Sequence, residues 1–185
     1  MLPEPRGSPY QVREETERHA ARAGDWGLRI YLAGPLFSEG DRSWQMRIKE
    51  AIQNWGALQG IYLELINPYE LLSAGQLEQE PDKASERIFQ VCRQSLRDSD
   101  LVVASLDGPQ VDDGTAWELG YFFALCGDSG ERILGIRTDF RNCGDAGGAG
   151  INSMLAQGCC RIAGSLEELL DILAGMVREG SLPGS

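Results

Sequence analysis

Apolar positions along this chain switch repeatedly between two periods. Residues 28–32 and 61–66 are short runs rich in β-branched and aromatic side chains, broken by Ala33-Gly34-Pro35 and Asn67-Pro68, and predict strands. The run 101–106 is apolar throughout, as in a strand buried on both faces, and 133–136 and 161–163 add two more. Between these, the spacing becomes three and four. Trp44, Ile48, Ala51, Ile52 and Trp55 predict a helix over 41–55 stopped by Gly56, and Ile88, Val91, Cys92 and Leu96 predict one over 84–98. A third helix opens at Thr115 and runs through Phe122, Phe123 and Leu125 to a C-cap at Gly127. A short helix over 151–155 and a last one over 165–176 follow, the latter with Ser165 and Glu168 as a capping box. Residues 71–83, with Gly75, Pro81 and several acids, read as a loop.

Strands alternating with helices imply a parallel sheet with right-handed crossovers. The expected architecture is a single α/β domain, flavodoxin-like (Rossmann-like), with a five-stranded parallel sheet flanked by helices. Residues 1–26, with Pro3, Pro5 and Pro9 and a charged run, read as a polar arm, 27–178 as the domain and 179–185 as a C-terminal tail. The glycine-rich segment 138–150 has a length more typical of functional or interface loops than of plain connectors.

Composition narrows the chemistry. A chain of 185 residues with 42% hydrophobic content supports one cored domain. With 17 Lys and Arg against 28 Asp and Glu, its net charge of −11 argues against a surface that tracks a nucleic-acid backbone. No window has the length of a membrane span, and the N-terminus does not have the pattern of a signal sequence, so a cytoplasmic protein is expected. The five cysteines form an odd count without C-x-x-C spacing and read as free thiols. His19 is the single histidine and lies in the polar arm. Metal sites rich in histidine and His-based catalysis are therefore not expected, no cofactor is implied, and the available chemistry rests on carboxylates, Tyr or Cys.

The candidate site is Asp112-Asp113-Gly114-Thr115-Ala116-Trp117-Glu118, directly behind the buried run 101–106. Ligands of open parallel sheets bind beyond the carboxyl ends of the strands near a switch point. That criterion brings together the loops after the first, third and fourth strands, which hold Tyr31, Gly34 and Phe37; then Asp107, Asp112, Asp113, Gly114 and Glu118; then residues 139–152 with Asn152. Two or more carboxylates around one small cleft are what glycosidic-bond chemistry requires. A tyrosine hydroxyl beside a nucleophilic carboxylate can orient it, and Tyr31 stands at the end of the first strand.

Each residue also has a plainer reading. Thr115 to Glu118 has capping-box spacing, and from spacing alone the glutamate is more simply a cap. Asp112 and Asp113 serve as turn formers, Tyr31 as a packed aromatic and Asn152 as a helix cap. Their expected convergence on one face favours the functional reading. No G-x-G-x-x-G or Walker sequence occurs, and the Cys159-Cys160 pair reads as buried small hydrophobes.

Ile30-Tyr31-Leu32-Ala33-Gly34-Pro35-Leu36-Phe37, Asp98-Ser99-Asp100, the stretch from Asp112 to Tyr121, and Gly150-Ile151-Asn152-Ser153-Met154-Leu155 together resemble nucleoside 2-deoxyribosyltransferases, in consistent order over about residues 28–175. The resemblance implies a flavodoxin-like subunit that moves 2-deoxyribose between nucleobases through a covalent deoxyribosyl-enzyme. Glu118 falls on the family's nucleophile, Asp112 on an aspartate that binds sugar hydroxyls, and Tyr31 on the tyrosine beside the nucleophile. Asn152 falls on an asparagine supplied by a neighbouring subunit, so the partners implied are a deoxynucleoside, a free nucleobase and further copies of the chain.

One position departs from that pattern. Cys92 stands where some members carry an aspartate proposed to protonate the base, which implies either that Asp107 or an acid within 70–82 takes that part or that the base chemistry is altered. Two alternatives stand beside the transferase: an N-glycoside hydrolase of 2′-deoxynucleosides or their 5′-monophosphates, and a non-catalytic nucleotide-sensing module. Pro35-Leu36-Phe37 offers apolar groups where a phosphate reader needs basic or hydroxyl contacts, although Arg42 is near enough in sequence to reach in.

Overall fold

In the computed structural model, residues 27–182 are described, apart from Gln79 and Asp128. The expected polar arm, 1–26, lies outside them. The elements run β1 (Gly27–Ala33), α1 (Glu39–Gln59), β2 (Tyr62–Ile66), α2 (Ala74–Glu78), α3 (Ala84–Arg97), β3 (Leu101–Ser105), α4 (Asp113–Leu125), β4 (Ile133–Ile136), α5 (Ser153–Gly158), β5 (Arg161–Ala163) and α6 (Leu166–Arg178). The five strands form one sheet in the order β2-β1-β3-β4-β5, every pair parallel. This is the flavodoxin-like order, and its connections reverse direction between β1 and β3.

Strand alternation sends the side chains of β1 to two different cores. Leu28, Ile30 and Leu32 pack with Ile48, Ile52 and Trp55 of α1 and with Leu169, Leu173 and Met176 of α6. Tyr31 and Ala33 point the other way, into the core made with Leu96 of α3 and Leu119 and Phe122 of α4. β3 divides likewise, Leu101 and Val103 to the first core and Val102 and Ala104 to the second. The parity of β1 thus delivers Tyr31 to the layer that contains α4.

Several boundaries differ from those read from the sequence. α1 passes through Gly56 and stops at Gly60, which has φ 69. A Cβ on Gly56 would lie 2.3 Å from Leu63 Cδ1, so the glycine there allows α1 to approach β2. The segment expected to be a loop contains α2, preceded by the Ser73 hydroxyl and amide bonding the Gln76 side chain. The short helix starts at Ser153 rather than at 151, with Asn152 as its N-cap. At α6, Ser165 accepts from Glu168 N, but the Glu168 carboxylate bonds Gly164 N and not Ser165 N, so the expected capping box is only half formed. Leu182, within the expected tail, packs back into the first core. Among the described residues, no helix is long and apolar enough to cross a membrane.

Candidate active site

A loop over 106–112 leads from β3 into α4, whose N-terminus is capped by Asp112: its Oδ2 accepts from Thr115 N at 2.9 Å and from Thr115 Oγ1 at 3.0 Å. The capping box expected of Thr115 and Glu118 is therefore not the one used. Thr115 is spent on Asp112, and Glu118 is released from capping. Its carboxylate instead meets β1: the Tyr31 hydroxyl donates to Glu118 Oε1 at 2.5 Å. Tyr31 is fully buried, so the donor has no solvent to turn to.

Electrostatics follow from this burial. Withdrawal from water pushes the Glu118 carboxyl up to about 7; the Tyr31 hydrogen bond pulls it back, and the negative charge of Asp112 adds to the rise. Burial, followed by the charge of Glu118, holds the Tyr31 phenol far above its ordinary range, so it remains a donor at every pH the fold survives. Cys92, on α3, joins the same cluster. Burial raises the pKa of its thiol, and the charge of Glu118 adds to the rise. Outside it, Phe89 meets Trp117 edge-on at 5.4 Å, and Trp117 stacks on Tyr121 at 5.1 Å, so an aromatic ladder bridges α3 and α4 beside the carboxylate.

The remaining residues expected in the site are distributed around this centre. A Cβ at Gly34 would lie 1.6 Å from Gln45 Nε2, and that buried amide donates to Ala33 O. The absence of a side chain at 34 is accounted for by Gln45, a residue that sequence reasoning passed over. Phe37 is exposed at the mouth, where Arg42 donates to the carbonyls of Leu36 and Phe37 and lies over the Tyr69 ring. Asp113 bonds Gly114 N, and Gly114 leaves room for the Asp112 carboxylate, which a Cβ there would approach to 3.2 Å.

Asp107 and Asn152 are engaged in loop structure. Both oxygens of Asp107 are occupied, by Thr138 N and Asp139 N on one side and Thr138 Oγ1 on the other, tying the end of β3 to the loop after β4. Asn152 caps α5 through Met154 N and donates to Asp145, which also holds Ser153. The glycine-rich loop is therefore pinned within one chain. Asn152 faces a cavity of about 960 Å³ between α4 and α5, lined on α4 by Ala116, Gly120 and Phe123. Glu118 lies two residues from both Ala116 and Gly120, which is about 200° around the helix. Within one chain, Asn152 and Glu118 therefore lie on opposite sides of α4.

Among the described residues, no group of three or more His, Cys, Asp or Glu side chains is arranged to hold a metal ion. What remains is a half-buried carboxylate gripped by a buried phenol, with a second carboxylate at the start of the same helix.

Comparison with known proteins bears on the fold and the family of this chain. Residues 30–154 match the family model described as nucleoside 2-deoxyribosyltransferase. Among solved structures, a 2-deoxyribosyltransferase from Bacillus psychrosaccharolyticus superposes with a TM-score of 0.58 at 18% identity, covering 77% of this chain and 90% of that one. A 2-deoxyribosyltransferase from Leishmania mexicana gives 0.56 at 23% identity, covering 82% and 97%. A conserved protein from Enterococcus faecalis V583 gives 0.51 at 25% identity, covering 78% and 95%. Comparison with curated protein sequences returns no match. The matched segment holds the second half of β1 with Tyr31, all of α4 with Glu118, and the Asn152 turn, and on that match the chain belongs to the nucleoside 2-deoxyribosyltransferase family.

Proposed function

We propose that this protein transfers 2-deoxyribose from one nucleobase to another, with Glu118 as nucleophile. The observation that carries the reading is the 2.5 Å bond from the buried Tyr31 hydroxyl to Glu118 Oε1, in place of the cap the sequence suggested. A glutamate that only stabilised its helix would turn to the N-terminal amides; this one is held over the sheet at the β1/β3 switch point, where a ligand of this fold sits.

In the first half-reaction, a Glu118 oxygen attacks the anomeric carbon while the C–N bond to the base breaks. The bonding pair leaves with the base nitrogen system, which takes up a proton from solvent, and the incoming base releases its N–H proton to solvent in the second half. The transition state has oxocarbenium character, and the anionic cluster of Glu118 and Asp112 favours its positive charge. In the second half, a nitrogen of the incoming base attacks the same carbon and Glu118 departs, so configuration is retained over the two displacements. Asp112 commits Oδ2 to the cap, which assigns the sugar hydroxyl to Oδ1. Water entering in place of the second base gives hydrolysis from the same intermediate.

Placement of Asn152 across α4 from its own Glu118 supports a site completed by another copy, with Asn152 serving a neighbour. The deciding experiment incubates wild type and Glu118→Ala with a deoxynucleoside and a second free base. Wild type is expected to exchange bases and to yield a deoxyribosyl adduct on Glu118 by mass spectrometry, and the variant to do neither. Wild type that neither exchanges nor hydrolyses overturns the enzymatic reading. Mixing Glu118→Ala and Asn152→Ala chains tests the shared site: activity recovered in the mixture requires that one chain's Asn152 serve the other's Glu118.

A further inference from the structure

α4 is apolar on every side: its charged residues are Asp113 and Glu118 alone, yet the chain covers only part of its circumference. Leu119 and Phe122 enter the second core, while Trp117, Gly120, Tyr121 and Ala124 project from the side away from it. Trp117 is 47% exposed, and Gly120 and Ala124 are exposed as well. A helix that is hydrophobic all round belongs in an interior. The bare side continues onto α3, where Ile88 and Phe89 are exposed and Phe89 meets Trp117 at 5.4 Å.

Gly120 adds an independent sign. A glycine inside a helix weakens it relative to alanine. At this position φ is not positive and a Cβ would meet no atom within 4 Å, so nothing in its own chain calls for a glycine. A ring or backbone pressed against α4 from outside would.

We propose that this face docks a second copy of the chain about a two-fold axis running along α4, the Trp117–Tyr121 ridge of each copy lying against Gly120 of the other. Charge selects the direction of the axis. One flank of the face is α3, with Arg87, Arg93 and Arg97 against Glu86; the other holds Asp113, Asp139 and Asp145 against Arg137 and Arg141. An axis along α4 sets the basic flank of each copy on the acidic flank of the other, whereas an axis across it sets like on like. The same axis brings the Asn152 side of each copy to the Glu118 side of the other. That consequence rests on the reading of Glu118 as nucleophile; the docking itself does not.

Sedimentation and cross-linking of the full chain test this. Wild type is expected to sediment as a dimer or an even multiple of one. Gly120→Glu sets like charges face to face and is expected to show at most half the wild-type mass, with an unchanged circular dichroism spectrum. Ala124→Cys reads the direction of the helices: on an axis along α4 the position meets its own copy, so mild oxidation is expected to give a disulfide-linked dimer whose peptide map joins 124 to 124. Leu58→Cys, at an exposed position on α1, is expected to give no such link. Monomeric wild type, a Gly120→Glu chain of wild-type mass, an Ala124→Cys chain without the link, or a Leu58→Cys link in equal yield overturns the proposal. None of these readouts needs turnover. Wild type that pairs but neither exchanges nor hydrolyses removes the transferase reading and leaves this face as an interface, whereas base exchange by a monomeric wild type removes the interface and leaves the transferase.

Discussion

Tyr31 on β1 and Glu118 on α4 are 87 residues apart in sequence and share a 2.5 Å hydrogen bond. Because that bond favours the ionised glutamate, Tyr31→Phe is expected to raise the Glu118 pKa above 7 and shift the acid limb of the pH–rate profile upward. With Glu118 as the proposed nucleophile, a carboxylate freed to rotate also loses its alignment, so kcat is expected to fall on the order of 10²-fold. The phenylalanine fills the same space, so a thermal melt should show only a modest loss. A kcat and pH profile unchanged from wild type would remove Tyr31 from the mechanism.

Stability should depend on pH with a definite sign. The Glu118 carboxyl is raised from 4.5 to about 7 on folding, so its contribution is fully present below the unfolded value and is lost as pH rises through the folded one. Glu118→Gln removes a charge that the fold buries at a cost. The variant is expected to be inactive yet more stable than wild type at pH 8, by on the order of 2–3 kcal/mol, with little difference at pH 4. Denaturant midpoints at the two pH values test this, and equal midpoints at pH 8 would count against a strained nucleophile.

Asp112 caps α4, and one substitution separates that role from its proposed hold on the sugar. Asparagine caps a helix about as well as aspartate, so Asp112→Asn should leave the melting temperature nearly unchanged. It removes the charge that helps raise Glu118, so the acid limb is expected to move down. It also weakens the proposed contact with the sugar hydroxyl, and KM is expected to rise about 10-fold. Steady-state kinetics across pH distinguish these effects, which should have opposite consequences for rate below pH 7.

Gly34 and Gln45 form a coupled pair. A methyl at 34 would occupy the place of Gln45 Nε2, so Gly34→Ala is expected to cost about 1–3 kcal/mol. Gln45→Ala opens that space, and the double variant should be more stable than the sum of the single losses. Strict additivity in chemical denaturation would show that the two do not compete for the same volume.

Much of the architecture was legible because the hydrophobic period changes cleanly between two and three to four, and a wholly apolar 101–106 needed a covered central strand. Gly56 misled because a helix glycine can answer to a neighbouring strand, here Leu63, as well as to termination. Thr115 and Glu118 have the spacing of a cap, but local spacing does not reveal that Asp112 has already taken the Thr115 amide and hydroxyl. Gln45 carried no signal, since a polar residue on an amphipathic helix reads as solvated until the fold buries it at 1% exposure. Position 92 stands out for the residue it lacks; the burial of its thiol depends on how α3 lies against the sheet.

The division of β1 between two cores bears on how this sequence can drift. Tyr31 reaches Glu118 because it is odd in a strand whose even positions, Leu28, Ile30 and Leu32, face α1 and α6. Conservative replacements at those even positions alter packing and spare the site. Loss or gain of a single residue within β1 would exchange the two sets, turning the phenol toward the wrong layer while a hydrophobic strand still formed. Over evolutionary time this strand should therefore accept substitutions far more readily than changes of length.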